Sequence, residues 1–342
     1  MGDTQEPLPD NISWQEVIPL AREHKISLIA LDGLVRYGYD MTRIPQSWKE
    51  ELMAAERGLA HYMNVLTFMC QMFANAGLKV VLLKGYGLSL NYPIPSHRGV
   101  GDIDFILVDA DGNQASTLGD ELLRQSPSFV DDTSVFAIDH HTHYIFKGVV
   151  IENHHLLYHS CNGTEGEQQL IDMMQRMVVK DYAPMSGLEG LAYMPSPNMH
   201  LMFQVLHTYH HFAGGNPTLR QVCDYCMFVQ RHHNEIDWQM VEQTMREADY
   251  FSFYQGLNGI CTRHLGLDSR LLSPSHISLE SAEWLLNDIA TFSPGSHSGA
   301  LNIGLYWRNK QHYRYFKHCG WLYLTICHII HRTRLKIIEK LR

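Results

Sequence analysis

The feature that most narrows the fold is a change of hydrophobic period at Gly77. Upstream, Leu59, Met63, Leu66, Cys70 and Phe73 recur at steps of four and three, the stripe of an amphipathic helix, and Gly77 supplies its stop. Downstream, Leu78-Lys79-Val80-Val81-Leu82-Leu83 is a short, branched apolar run suited to a buried strand that ends at Lys84-Gly85. After a short turn or helix and a proline-marked loop from Pro93 to Pro95, the segment Asp102 to Val108 alternates with period two. Ile103, Phe105 and Leu107 share one face of it; Asp102 and Asp104 share the other. A helix is expected from about Gln114 to Arg124. Strands are expected near Phe129 to Ile138, Thr142 to Phe146 and Val149 to Asn153, with Lys147-Gly148 turning the last two into a hairpin.

Helical patterns lie on both sides of this strand-bearing stretch. Residues 12 to 36 read as one or two short helices, and from Pro197 onward Leu201, Val205, Tyr209 and Phe212, then Leu219, Val222, Cys226 and Val229, repeat at three or four. The expected class is α+β, a small mixed β-sheet flanked by helices. It divides into an N-terminal helical region (1–76), a sheet domain (77–190) and a C-terminal helical domain (191–342). The stretch from Asp181 to Pro197, rich in Gly, Pro and Ser, reads as a connection.

Bulk properties exclude several classes. With 45% hydrophobic and 18% charged residues, the chain has too much apolar content for disorder. The net charge of 27 − 36 = −9 disfavours nucleic acid as a partner. Seven cysteines, an odd number scattered through apolar runs, fit reduced thiols, and Met1 to Asp10 lacks the features of a signal peptide, so a cytoplasmic location is expected. No transmembrane segment is expected. The basic, apolar stretch from Lys317 to Arg342 suits either a docked terminal helix or peripheral contact with an anionic membrane surface.

Asp102 and Asp104, two apart on a strand, point the same way and can converge on a divalent cation. An Asp-x-Asp pair alone is a weak signal. Here it opens an apolar strand after Gly101 and follows a strand ending in Lys84-Gly85, and Glu152 adds a third acid inside the apolar run Val149 to His154. A charge there needs a partner or a function, a salt bridge to a lysine or arginine being the less favoured of the two. Cations held by these carboxylates would reverse the sign of the site and admit a triphosphate, with Lys84, Arg98 and the backbone around Gly85 taking further phosphate charge.

Lys84-Gly85, Tyr92-Pro93, Arg98, Gly101-Asp102-Ile103-Asp104-Phe105 and Ile151-Glu152-Asn153-His154, in this order, resemble the signature of the uncharacterised nucleotidyltransferase family of the polymerase-β-like superfamily. A looser similarity runs through Leu201 to His211 and Leu219 to Asp224, so that roughly residues 55 to 235 are covered. The resemblance implies a nucleotidyltransferase-like catalytic domain at 77–190, with Mg2+ (or Mn2+) held by Asp102, Asp104 and Glu152. Glu152 would orient or deprotonate an acceptor hydroxyl. Lys84, Gly85, Arg98 and His154 become the residues expected to bind the co-substrate, a nucleoside triphosphate with ATP foremost. The products would be pyrophosphate and a nucleotidylated acceptor, a small molecule being favoured.

One departure stands out: the superfamily places Gly-Ser or Gly-Gly before the aspartates, whereas this chain has Gly85-Tyr86 and Gly87-Leu88. The alternative function is therefore a catalytically inactive module of the same fold that binds nucleotide or a partner. His140, His141, His143, His154, His155 and His159 raise zinc as a third option, but neither H-x-H-x-D-H nor H-E-x-x-H occurs. Arg220 and Asp224, four apart on a helix, suggest an intrahelical ion pair.

Overall fold

The computed structural model describes residues 12–131, 141–158, 160, 163–214 and 217–291. The stretch from Lys317 to Arg342, the strand residues beyond Asp131, and His140 and His159 lie outside the described residues. Among the described residues two compact units form: one from residues 12–56, Asn91–Gly99 and 201–291, the other from Arg57–Leu90 and Val100–His200.

The second unit is built on a mixed seven-stranded sheet, among the described residues, of β1 (Lys79–Leu82), β2 (Ile103–Val108), β3 (Val130–Asp131), β4 (His141–Phe146), β5 (Val149–His154), β6 (Tyr182–Pro184) and β7 (Ala192–Pro195). Their order is β3-β4-β5-β2-β1-β7-β6. Central β2 pairs antiparallel with β1 and parallel with β5, and every residue of β2 is buried. That explains why its sequence carries Ile106 and Val108 as well as the alternating set: both faces of a central strand are covered. Lys147 and Gly148 both have positive φ and close the β4–β5 hairpin, as the Lys-Gly pair predicts.

The chain enters this unit along α3 (Gln46–Asn75), whose stripe of Tyr62, Leu66, Met69, Cys70 and Phe73 forms one core with Leu82, Phe105, Leu107 and Ile151. Short α4 (Tyr86–Ser89) follows β1, α5 (Ser116–Gln125) follows β2, and α6 (Glu165–Val178) follows β5. Helix α5 seats against the core face at Gly119, where an added Cβ would overlap the Leu107 side chain. Buried Asn153 ties β5 to it, donating to Ser116 O at 2.8 Å and Asp120 Oδ1 at 2.7 Å. With Phe105, Leu107, Ile151 and Asn153 facing these helices, period two turns Asp104 and Glu152 to the opposite face.

The segment expected to be a connection instead holds β6 and β7, and β7 extends the sheet beside β1. Its glycines and prolines are punctuation: Gly187 and Gly190 take positive φ in the turn between the strands, and Pro184 and Pro195 close them.

The other unit is helical. Helices α1 (Trp14–Glu23) and α2 (Ser27–Arg36) close over Trp48 at the start of α3, with Ile18, Leu28 and Leu31 in that core. After α7 (Pro197–Gly214) come α8 (Leu219–His232), α9 (Trp238–Glu247), α10 (Phe251–His264) and α11 (Leu279–Thr291). Residues 91–99 belong here. In that segment buried Arg98 donates from Nε to Asp224 Oδ1 at 2.9 Å and from Nη2 to Oδ2 at 2.6 Å, while buried Tyr92 donates to Oδ1 at 2.8 Å.

Candidate active site

Strands β2 and β5 lie side by side and in register, Asp104 opposite Glu152. Neighbouring strands are separated by about 4.8 Å, so these two carboxylates project together from one face. Asp102, just before β2, shares that face. One oxygen from each of Asp102, Asp104 and Glu152 can be chosen so that all three lie within 4.8 Å of one another.

Asp104 is fully buried. Its Oδ1 receives the Lys84 ammonium at 2.6 Å and faces His154 Nε2 at 3.3 Å. Its Oδ2, although buried, has no hydrogen-bond partner among the described residues. An unsatisfied buried acceptor costs about 1–3 kcal/mol, more for a charged group, and a protein retains one where the atom has another use. Hard divalent cations bind such carboxylate oxygens. The donor set therefore fits a cation of this kind.

Lys84 follows β1 directly, and the pairing of β1 with β2 continues as the Leu83 N–H donates to Asp104 O at 2.9 Å. The ladder that buries Asp104 thus delivers Lys84 to it. Burial opposes the charge on Lys84, but Asp104, Asp102 and Glu152 outweigh this and raise its pKa. Burial likewise pushes Glu152 up, yet contacts with His154 and Asp104 and then the charge of Lys84 hold its carboxyl at about 2. Glu152 is an anion at any physiological pH.

Gly85 is held at φ 65° and ψ −124°, a conformation open essentially to glycine alone. An added Cβ would come within 2.7 Å of the Tyr62 hydroxyl and 3.1 Å of Asp102 O. That hydroxyl donates to Asp102 O at 3.1 Å, so Gly85 is the space in which α3 grips the Asp102 backbone. Gly85→Ala is expected to destabilise the protein by about 1–3 kcal/mol through backbone strain alone. Urea unfolding at unchanged m-value would measure it.

Three histidines complete the face. On β4, His143 stands opposite Glu152 and His141 opposite His154. Nε2 of His143 is 3.3 Å from Glu152 Oε1, while Nε2 of His141 and of His154 are each 3.8 Å from Oε2. Burial, then the neighbouring His154 and His143, press the His141 pKa down to about 3, leaving it neutral. Burial pulls His154 the same way, but Asp104 and Glu152 overcome it and raise its pKa.

Lys84, Gly85, Asp102, Asp104, Glu152 and His154 are thus gathered in one unit. Arg98 falls in the helical unit, where its guanidinium is forked onto Asp224. Two groups at the site escape sequence reasoning. Tyr62 sits on the apolar stripe of α3 and reads as core. Tyr158, buried and kept protonated by burial and by the charges of Asp104 and Glu152, lies beyond the end of β5. Nothing in local spacing marks either one.

Residues 10–266 match a family model described as an uncharacterised nucleotidyltransferase. No curated protein and no solved structure matches the chain.

Proposed function

The chain belongs to the uncharacterised nucleotidyltransferase family, and from that premise we propose that it moves a nucleoside monophosphate from a nucleoside triphosphate, ATP first, to a hydroxyl on a small-molecule acceptor. The observation that carries this reading is the carboxylate trio with the partnerless Oδ2 of Asp104 at its buried centre. Asp102, Asp104 and Glu152 are the residues that would hold Mg2+ or Mn2+. Bound there, the metal would neutralise the triphosphate and hold the oxygens of the bonds being made and broken.

The chain's own groups account for the remainder. Lys84, already charged and at the rim of the trio, offers an ammonium to a phosphate oxygen. Glu152, held at about 2, is too weak a base to take a proton unaided, so its role is to accept the acceptor's O–H hydrogen bond and aim the oxygen. The acceptor oxygen bonds to the α-phosphorus, the bridge from that phosphorus to the β-phosphate breaks, and pyrophosphate departs while the hydroxyl proton passes to solvent. His154, between Asp104 and Glu152, keeps the two carboxylates apart and oriented.

The test is pyrophosphate release from the full chain given each nucleoside triphosphate, Mg2+ and a panel of small hydroxyl acceptors. Release equimolar with a nucleotidylated product, and abolished by a chelator, is the expected result. A second reading, a module that binds nucleotide without turnover, is favoured by one observation: Ser89, the serine nearest the departing Gly85-Tyr86 turn, is buried and spends its hydroxyl on Tyr86 O at 2.7 Å. Saturable nucleotide binding with no product across the panel would select it. Among the described residues no helix is long and apolar enough to cross a membrane.

A further inference from the structure

The metal ligands of the proposed reading are oxygens only, yet ring nitrogens crowd the same face. His154 fixes how they are used. Its Nδ1 lies 3.3 Å from Leu156 O, which can only accept, so Nδ1 carries the hydrogen and Nε2 is the atom turned towards Asp104 Oδ1 and Glu152 Oε2. Two anionic oxygens that meet a ring nitrogen in a buried place call for positive charge, which a proton on Nε2 or a metal ion that displaces that proton can supply. The arrangement, one ring nitrogen on a backbone carbonyl and the other facing inward, is that of histidines that ligate metals.

His141 adds a second inward nitrogen, its Nε2, which also meets His143 Nε2 at 2.5 Å. Its Nε2 stands at the same 3.8 Å from Glu152 Oε2, and ligand atoms of His141, Glu152 and His154 all fall within 4.8 Å of one another. Metal bonds of about 2.0–2.1 Å at tetrahedral angles put neighbouring ligand atoms about 3.4 Å apart, so the two contacts to Glu152 close by a few tenths of an ångström each, and the two imidazoles approach from within 4.8 Å by side-chain rotation. Two imidazoles and one carboxylate are poor ligands for Mg2+, which prefers six oxygens, and good ones for a transition metal.

We propose that His141, His154 and Glu152 form a nitrogen-bearing cation site beside the carboxylate one, selective for a first-row transition-metal ion of the Mn2+ or Zn2+ kind. Glu152 serves both, one oxygen atom turned to the histidines of its own hairpin. The two positions are then unlike: one offers only the carboxylate oxygens of Asp102 and Asp104 beside Glu152, the other adds the imidazole nitrogens of the β4–β5 hairpin. This deepens the reading above and rests on it in sharing Glu152.

The decisive experiment adds Mn2+ to the full chain after chelator treatment, follows binding by electron paramagnetic resonance, and looks for 14N modulation in the pulsed spectrum. Bound Mn2+ with imidazole nitrogen coupling is the expected result, resistant to about a hundredfold excess of Mg2+. His141→Ala is expected to weaken binding by at least about tenfold and reduce the nitrogen signal, whereas Asp102→Asn should leave that signal in place. Mn2+ bound without nitrogen coupling, or not bound at all, overturns the proposal on the wild-type protein alone, whatever the variants' folding. So does a folded His141→Ala protein that binds as the wild type does. A nitrogen-coupled ion in a protein that releases no pyrophosphate would instead sink the transferase reading and leave this site standing.

Discussion

Asp104→Asn is expected to lower nucleotidyl transfer by at least about a thousandfold while leaving the fold intact. The carboxylate is fully buried, touches Lys84 and His154, and keeps Oδ2 without a partner. An amide of the same shape can still accept from Lys84 through its oxygen, but it carries no charge with which to hold a cation. Removing an ionic metal ligand forfeits several kcal/mol of transition-state stabilisation, and each ~1.4 kcal/mol is tenfold in rate. The readout is kcat for pyrophosphate release beside a near-ultraviolet circular dichroism spectrum, which should not change. A variant that keeps a native spectrum and turns over within tenfold of wild type would show that the carboxylate trio is not the reacting centre.

The second large effect concerns stability. Arg98→Ala is expected to cost about 3–5 kcal/mol, because it strands the buried Asp224 carboxylate that Arg98 now meets with two hydrogen bonds. Melting temperature should fall by on the order of 10 °C. Arg98→Met combined with Asp224→Leu removes both charges and should recover most of the loss, a rescue that phosphate binding by Arg98 would not produce. The opposite pattern, an unshifted melting temperature with weakened nucleotide affinity in Arg98→Ala, would make Arg98 a phosphate ligand. An arginine in a run with Lys84, Asp102 and Asp104 reads in sequence as one more phosphate ligand; the fork onto Asp224, 126 residues later, is what that reading could not contain.

What the sequence made legible is what obeys a local period. The stripe of α3, the run of β1, the alternation of β2 and the Lys147-Gly148 turn each depend on neighbours a few residues away, and each is found where expected. The trio follows from the same rule, since period two fixes the face of Asp104 and of Glu152 separately. Their meeting does not follow from it: it needs β5 to lie parallel beside β2, a pairing between residues nearly fifty positions apart. Strands β6 and β7 were lost for a related reason. At three and four residues they are too short to display a period, and only docking on β1 defines them. Tyr62 failed to signal because a tyrosine on an apolar stripe looks the same whether its hydroxyl is idle or grips a backbone carbonyl.

The matched register of β2 and β5 also governs how the centre can fail. Moving β5 along its neighbour by one residue would set Ile151 or Asn153 against Asp104 and turn Glu152 into the helices behind the sheet. No halfway arrangement exists between those ladders. The facing of Asp104 and Glu152 is therefore an all-or-none property of strand assembly: partial loosening of surrounding loops leaves that pair whole, and disruption of the central ladder erases it in a single event.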